Sequence, residues 1–419
     1  MPRILYSFIL IVLQPLVLLR LWFKGRKASA YRQRILERYG FNAPRLNGCI
    51  WLHAVSVGEA ITAKPVIEYL LANTDRPILV TTTTPTGADQ VHRMFGERVT
   101  HRYMPQDISL CLNQLVKHCS PALLLVMETE LWPNLIHLCK RKAVATMLIN
   151  GRLSEKSARS YAKFGGLTAA MLRNLSALCI QTQLERQRFI DLGALPEHCV
   201  TIPSLKFEAV IDESNHKQAE TLREQYQLVP RFVWIAASTH AGEDEIVLAA
   251  HKALLQKHPS ALLILVPRHP ERFSVVADLS DAKGMKTARY SNTEPVGDSH
   301  VWLLDKMGQL LNFYGVANVA FVGGSLNGGG GHNIMEPALW SKPVLSGPGL
   351  FNFQAVSDEM YAQGGLSIVN NDRDLFDHLQ RLSGRQECAL QGKKAYAVAL
   401  NNKGGLALTV AQINKLLPS

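Results

Sequence analysis

The sequence lacks the short signatures of several large enzyme classes. No G-x-G-x-x-G follows the first predicted strand of either half, and the chain has no G-x-x-x-x-G-K-[ST], H-E-x-x-H or G-x-S-x-G motif. These absences argue against dinucleotide-dependent hydride transfer, P-loop phosphoryl transfer, zinc proteolysis and serine hydrolysis. The seven cysteines form no C-x-x-C pair, so neither a disulfide framework nor a zinc knuckle is indicated, and a reducing compartment fits best.

The composition is that of a folded globular protein. Charged residues make up only 19% of the 419 residues and hydrophobic residues 47%, which excludes a disordered, collagen-like or coiled-coil chain. At roughly 100 to 200 residues per domain, this length predicts two or three domains.

The positive charge is concentrated at the N-terminus. Residues 1–45 hold nine Arg or Lys and one Glu, and so carry +8 of the net +11. This distribution argues against a nucleic-acid partner. The apolar run 4–19 precedes most of these charges, but it is shorter than the roughly 20 residues of a spanning helix. We expect an uncleaved membrane anchor or an in-plane helix with its basic flank on anionic lipid. The alternative is an apolar helix docked on its own domain, and one helix can do both.

From residue 48, short apolar runs alternate with helical patterns, which is typical of parallel sheets with crossover helices. The predicted α/β fold has two doubly wound, Rossmann-like domains facing a cleft, with ligands at the carboxyl ends of the strands. We assign residues 1–45 to the anchor segment, 46–208 to a first Rossmann-like domain and 209–419 to a second, whose last helix could return to the first. Strands are predicted at 49–55, 77–84, 122–128, 145–150, 178–182, 232–238, 261–267, 301–305, 318–324 and 342–347.

Acidic residues follow two strands of the first half. Glu59 stands where the first strand gives way to a helix, so it could act as a general base or merely favour the positive helix end. Glu128 and Glu130 follow another apolar strand, and one of them is expected to be structural. Lys206 is the cation that we place near Glu128, although an ordinary linker lysine fits equally well.

In the second half, a glycine-rich loop at 323–331 leads into a helix. Such a loop allows backbone N–H groups to approach a phosphate, which favours nucleotide binding. The spacing of Asn333 and Glu336 is also explained by a helix cap alone. Pro267 and Arg268 lie at another strand end, and Met307–Gln309 are predicted to open a helix with free N–H groups.

Together these motifs resemble one family, the 3-deoxy-D-manno-octulosonic acid (Kdo) transferases of lipopolysaccharide synthesis. The similar blocks occur in order as HAVSVGEA, TTTTPTGADQV, METELWPNL, NGRLSEKS, SLKF, PRHPERF and GGHNIMEPA. The resemblance implies a GT-B fold and transfer of Kdo from its cytidine monophosphate (CMP) ester to a lipid A precursor. It implies that 46–208 is the acceptor-binding domain and 209–419 the domain that binds the CMP-sugar donor. It also implies a location at the cytoplasmic face of the bacterial inner membrane.

The resemblance implies roles for individual residues as well. Glu59 would be the proton acceptor, and Glu128 and Lys206 would assist the transition state. No metal or resident cofactor is expected. Gln309 departs from the glutamate expected after Met-Gly. The segments that would contact CMP are Pro267 and Arg268, then Met307, Gly308 and Gln309, and finally Asn333, Ile334, Met335 and Glu336.

Other functions remain open from the residues alone. One is a different GT-B enzyme, such as a UDP-sugar lipid glycosyltransferase or a UDP-sugar 2-epimerase. Another is a non-catalytic membrane scaffold.

Overall fold

The computed structural model describes residues 1–208, 211–292 and 295–417. The chain forms two compact units, which divide after Glu208, where the sequence placed the domain boundary. The second unit ends at Lys403, and the segment from Gly404 onward belongs to the first. Assignment of the whole of 209–419 to the second domain is therefore replaced by the alternative in which the last helix returns.

The first unit contains a parallel seven-stranded sheet in the order β3-β2-β1-β4-β5-β6-β7. In this sheet His53 lies beside Thr81 of one neighbouring strand and Val126 of the other. The strands are β1 (Ile50–His53), β2 (Ile78–Thr82), β3 (Thr100–Tyr103), β4 (Leu123–Met127), β5 (Ala145–Gly151), β6 (Ala177–Ile180) and β7 (Cys199–Thr201).

Helices cover both faces of this sheet, so consecutive residues of one strand enter different cores. Trp51 packs in one core and Leu52 in the other, and both are fully buried. This explains the continuous apolar runs of the sequence. The helices are α1 (Arg3–Val12), α2 (Gln14–Lys27), α3 (Val57–Asn73), α4 (Pro85–Phe95), α5 (Ser109–Cys119), α6 (Pro133–Arg141), α7 (Glu155–Ala162), α8 (Gly165–Arg173) and α9 (Gln183–Asp191).

The apolar N-terminal run forms two helices with a bend between them. Pro15 stands in the first turn of α2, where its missing N–H costs little. Within the described residues, no single helix has the length and apolarity to cross a bilayer. By those two criteria alone, α1 together with α2 up to Arg26 would pass as a pair bent by 48°.

The second unit holds another parallel seven-stranded sheet, in the order β10-β11-β9-β8-β12-β13-β14. Its strands are β8 (Val233–Thr239), β9 (Leu262–Pro267), β10 (Thr287–Arg289), β11 (Val301–Leu303), β12 (Val319–Val322), β13 (Val344–Ser346) and β14 (Leu366–Ile368). Its helices are α10 (Glu213–Gln225), α11 (Glu243–Leu255), α12 (Phe273–Ala282), α13 (Leu310–Val316), α14 (Met335–Leu339), α15 (Gln354–Ala362), α16 (Asp372–Leu382) and α17 (Arg385–Asn401).

The final helix, α18 (Gly405–Leu416), completes a core of the first unit. Its Ile413 is fully buried in the same cluster as Ala60 and Val66 of α3. The Glu208 carboxylate accepts a hydrogen bond from the backbone N–H of Leu406 at 2.8 Å, close to the start of that helix.

Each sheet has a switch point, where the connections leave in opposite directions. It lies between β1 and β4 in the first sheet and between β8 and β12 in the second. In open α/β sheets, ligands bind outside the carboxyl ends of the strands at this point. The acidic residues predicted in the first half and the glycine-rich loop of the second half both follow strands that flank a switch point.

Candidate functional site

Glu59 lies in the first turn of α3, after β1. Ser56 caps the helix through its side chain, which accepts from the backbone N–H of Glu59 at 3.4 Å. The Glu59 carboxylate accepts from the Val55 backbone N–H at 2.9 Å and from the Ser56 hydroxyl at 3.1 Å. The capping role weighed from the sequence is therefore present. Glu59 is 9% exposed.

The surroundings of Glu59 raise the pKa of its carboxyl group to a value near neutral pH. Burial is the largest cause that raises the pKa of Glu59, to about 7; the charges of Glu128 and Glu130 add to it, and the hydrogen bonds from the Val55 N–H and the Ser56 hydroxyl act against it. A carboxyl group with this pKa exchanges its proton near pH 7, as a general base must.

Glu128 follows β4 with a backbone φ of 52°, in the left-handed region that few non-glycine residues adopt. Its Oε1 lies 3.4 Å from Nζ of Lys206. The predicted proximity of these two side chains is confirmed. They are 23% and 27% exposed, so the ion pair is open enough for a ligand to reach.

Asn150 is a residue that the sequence interpretation missed. It is buried at the end of β5, and its Oδ1 accepts from the Ser204 hydroxyl at 3.1 Å and the Leu205 backbone N–H at 3.0 Å. These bonds hold the 3₁₀ turn Leu205–Phe207 that carries Lys206. An asparagine before glycine at a strand end was the only local signal for this role.

Glu130 occupies a different environment from Glu128. Its Oε2 accepts from the indole N–H of Trp132 at 3.2 Å, and burial raises its pKa. The Trp132 ring lies edge-on to His53 at a centroid distance of 5.4 Å. Glu130 is thus tied to the wall of the site, whereas Glu128 faces the lysine.

In the second unit, the side chain of Glu243, the first residue of α11, reaches the glycine-rich loop. This fully buried side chain accepts four backbone N–H groups, from His240, Gly324, Ser325 and Leu326, at 2.7 to 3.0 Å. The N–H groups of 324–326 are therefore taken by a carboxylate of the protein itself. This corrects the expectation that this part of the loop cradles a phosphate.

The predicted CMP-contacting residues follow several strands of the second sheet. Pro267 ends β9, and the exposed Arg268 donates its backbone N–H to the carbonyl of Thr239 at 3.0 Å. Met307–Gln309 follow β11, but they form a turn before α13, which begins at Leu310. The prediction that they open the helix is wrong because Gly308 has a φ of 84°, outside the helical region.

The side chains of Asn333 and Glu336 bond to each other, but they do not form the helix cap that the sequence allowed. The N-cap residue of α14 is Ile334, which makes no side-chain cap bond. Asn333 Oδ1 accepts from the Met335 backbone N–H at 3.0 Å, and Asn333 Nδ2 donates to Glu336 Oε1 at 3.1 Å. Burial raises the pKa of Glu336, and Ile334 and Met335 are buried beside it.

Three histidines meet beside the glycine-rich loop. Nε2 of His240 and Nε2 of His332 lie 2.9 Å apart with their rings stacked, and His269 lies edge-on to His240. Burial and Arg268 lower the pKa of His332 to about 4, so this ring is neutral at pH 7. Among the residues the structure describes, no three His, Cys, Asp or Glu side chains form a group that could hold a metal ion.

Comparison with known proteins finds relatives over nearly the whole chain. A model of the family described as 3-deoxy-D-manno-octulosonic-acid transferase (kdotransferase) matches residues 33–209. The 3-deoxy-D-manno-octulosonic acid transferase of Haemophilus influenzae is 38% identical over 416 residues, covering 97% of this chain and 96% of that protein. The Bordetella pertussis enzyme of the same name is 32% identical over 95% of this chain and 96% of its own length.

Solved structures share the fold at low sequence identity. UDP-GlcNAc 2-epimerase from Neisseria meningitidis, bound to UDP-GlcNAc, aligns with a TM-score of 0.57 and 14% identity over 87% of this chain and 99% of its own. Anabaena HepE in complex with UDP gives a TM-score of 0.55 and 14% identity over 88% and 99%. The predicted GT-B fold, with two Rossmann-like domains, is confirmed.

Proposed function

We propose a donor, an acceptor and a catalytic base for this chain, which belongs to the family of 3-deoxy-D-manno-octulosonic acid transferases. The chain is a glycosyltransferase of lipopolysaccharide biosynthesis. The proposed donor is CMP-Kdo, and the proposed acceptor is a glucosamine hydroxyl of a lipid A precursor, lipid IVA. Family membership sets aside the epimerase and the scaffold, because the likeness to the 2-epimerase is one of fold only.

The proposed reaction is a single displacement with inversion. Glu59 takes the proton of the acceptor hydroxyl while that oxygen bonds to the anomeric carbon of Kdo. The bond from this carbon to the phosphate oxygen breaks, and its electron pair leaves with CMP. The observation that carries the proposal is the raised pKa of Glu59, about 7, beside two further carboxylates.

Glu128 and Lys206 assist this step in the proposal. The Lys206 ammonium offsets the negative charge of Glu128 at 3.4 Å, and its partial exposure leaves it able to face the charge that develops during transfer. Both groups are set by the backbone, Glu128 by its left-handed φ and Lys206 by the turn that Asn150 holds.

We assign CMP to the second unit. Pro267 and Arg268, Met307–Gln309 and Asn333–Glu336 follow strand ends of its sheet, and the exposed guanidinium of Arg268 suits a departing phosphate. In this proposal the leaving group needs no metal or resident cofactor.

We place the protein at the cytoplasmic face of the bacterial inner membrane. Ile4 and Phe8 of α1 are 77% and 62% exposed, and Arg20, Lys24 and Arg26 follow in α2. An exposed apolar helix beside basic residues is typical of attachment to an anionic membrane surface.

One assay tests the activity. The purified full-length chain is incubated with CMP-Kdo and lipid IVA, and product mass is measured. We expect a gain of one or more Kdo residues, and thermal protection by CMP exceeding that by UDP. Protection by UDP alone, with no mass gain, would refute the proposal.

A second measurement tests the location. Ile4→Ser with Phe8→Ser should reduce recovery of the protein with anionic vesicles, since both side chains are exposed and their loss leaves the folded core intact. Leu408→Ser, which removes an apolar side chain that is 48% exposed on α18, is the control. Unchanged recovery of the double variant would contradict attachment through α1.

A further inference from the structure

A cavity of about 410 Å³ lies in the first unit between α1 and the loop that follows β4. Tyr6 and Leu10 of α1 line one side, and Thr129–Trp132 line another. We call it the α1 pocket. Its volume falls in the range of about 300 to 1,000 Å³ that is usual for small-molecule sites.

Polar contacts fix the inner face of α1 against the domain. The Tyr6 hydroxyl donates to Oδ2 of Asp107 at 2.9 Å, and Arg3 and Ser7 donate to Oδ1 of Asn134 at 2.9 and 3.1 Å. Asp107 also accepts the backbone N–H groups of Asn134 and Leu135, which open α6. The helix is therefore a fixed wall of the pocket.

The two faces of α1 differ in chemistry. Arg3, Tyr6, Ser7 and Leu10 follow a spacing of three or four residues and so share the inner face. Ile4 and Phe8 are four residues apart on the outer face and are exposed. A molecule with an apolar part can thus lie along the outer face while its polar part enters the pocket.

The pocket borders the acidic cluster. Glu130 is one of its lining residues, and the negative charge of Glu130 contributes to the raised pKa of Glu59. The Trp132 ring, which also lines the pocket, lies edge-on to His53, the last residue of β1, and Glu59 follows that strand in the first turn of α3.

The lining favours a hydroxylated sugar. Trp132 and Tyr161 offer aromatic surfaces, while Gln106 and Glu130 offer hydrogen-bonding groups for hydroxyls. All the lining residues are in the described part of the chain, and none is Lys or Arg.

We propose that the α1 pocket receives the glucosamine end of the amphiphilic acceptor, with α1 forming one wall of the acceptor site. This inference rests on the proposed function. It gives α1 a second task, since the helix binds the acceptor as well as the membrane surface.

The test is to fill the pocket from the helix. Leu10→Trp places a larger side chain in the wall, while Leu408→Trp places the same side chain at an exposed position on α18, away from both the pocket lining and α1. With the full-length chain, CMP-Kdo and lipid IVA in detergent micelles, we expect Leu10→Trp to raise the KM for lipid IVA at least tenfold. The KM for CMP-Kdo and recovery with vesicles should stay within twofold. Leu408→Trp should leave all three within twofold.

Two results would overturn the inference while the wild type makes product. One is an unchanged KM for lipid IVA in Leu10→Trp, and the other is an equal rise in both variants, which would show that the rise does not come from filling the pocket. If Leu10→Trp does not fold, Gln106→Leu provides the same readout from outside the helix, with the same expected rise. Failure of the wild type to make product instead refutes the proposed function.

Discussion

Each sheet has an acidic side chain beside its switch point, and the two side chains differ in the number of hydrogen bonds that they accept. Glu243 of the second sheet is fully buried and accepts four backbone N–H groups. Glu59 of the first sheet accepts one backbone N–H and one hydroxyl, and its pKa is raised to about 7. A carboxylate that accepts several N–H groups holds a loop in place. A buried carboxylate with few donors and with acidic neighbours has a raised pKa, so it can bind and release a proton. The number of donors therefore separates a structural acid from a candidate base.

The strongest test of this contrast is Glu59→Gln. The amide can still accept from Val55 and Ser56, so the fold and CMP binding should persist, but kcat should fall by about 10²- to 10⁴-fold because the base is lost. The wild-type kcat/KM should drop below about pH 7, where Glu59 becomes protonated, and the variant should lack this pH dependence. Initial rates from pH 5 to 9 measure both effects.

Glu68→Gln, on the exposed side of the same helix, is the control for Glu59 and should retain the wild-type profile. Retained turnover in Glu59→Gln would remove Glu59 as the base.

Glu243→Gln should affect stability more than chemistry. The amide NH₂ would face two backbone N–H groups, at about 1–3 kcal/mol for each buried donor left unsatisfied. We expect the melting temperature to fall by about 5 °C or more, and the KM for CMP-Kdo to rise as the loop loosens. Calorimetry and kinetics check this, with the exposed neighbour Glu245 changed to Gln as the control. An unchanged melting temperature would show that the four bonds do not hold the loop.

Lys206→Met should reduce kcat by about tenfold to a hundredfold, less than the loss of a fully enclosed oxyanion donor. Stability should change by less than about 1 kcal/mol, because the ion pair with Glu128 is partly exposed. Lys206→Arg keeps the charge and should recover part of the rate. An equal fall of kcat in both variants would show that the shape of the Lys206 side chain matters and its charge does not.

Glu130→Gln is expected to have the smallest effect. Removing its negative charge makes Glu59 easier to ionise, so the fall in kcat/KM should move to lower pH by a fraction of a unit. The amide oxygen can still accept from Trp132, which preserves the wall. A shift to higher pH would contradict the contribution of Glu130 to the pKa of Glu59.

The sequence predicted the interior of both sheets but not their margins. The ten predicted strands correspond to the inner strands, and the four that were missed, β3, β7, β10 and β14, are the sheet edges. Edge strands are short and are covered less completely, so their segments show no continuous apolar run. The start of α13 was predicted too early in the sequence, because Gly308 has a left-handed backbone that keeps Met307–Gln309 out of the helix.

The predicted site residues follow the carboxyl ends of strands, which lie at the same edge of a parallel sheet. Their positions followed from local pattern, as with Glu59 and Glu128. Partners distant in sequence did not follow: Asn150 contacts Ser204 from 54 residues away, and Glu243 contacts Gly324 from 81. Such contacts depend on how strands are ordered in the sheet, which no local pattern records.

The return of α18 sets an order of events during synthesis. Ile413 fills a core whose other members, such as Ala60 and Val66, leave the ribosome some 350 residues earlier. The first unit consequently stays incomplete, with one side of α3 uncovered, until nearly the whole polypeptide has been translated. A nascent chain halted just before Gly404 would carry a complete second unit and an unfinished first one, and would be the form most exposed to chaperones and proteases.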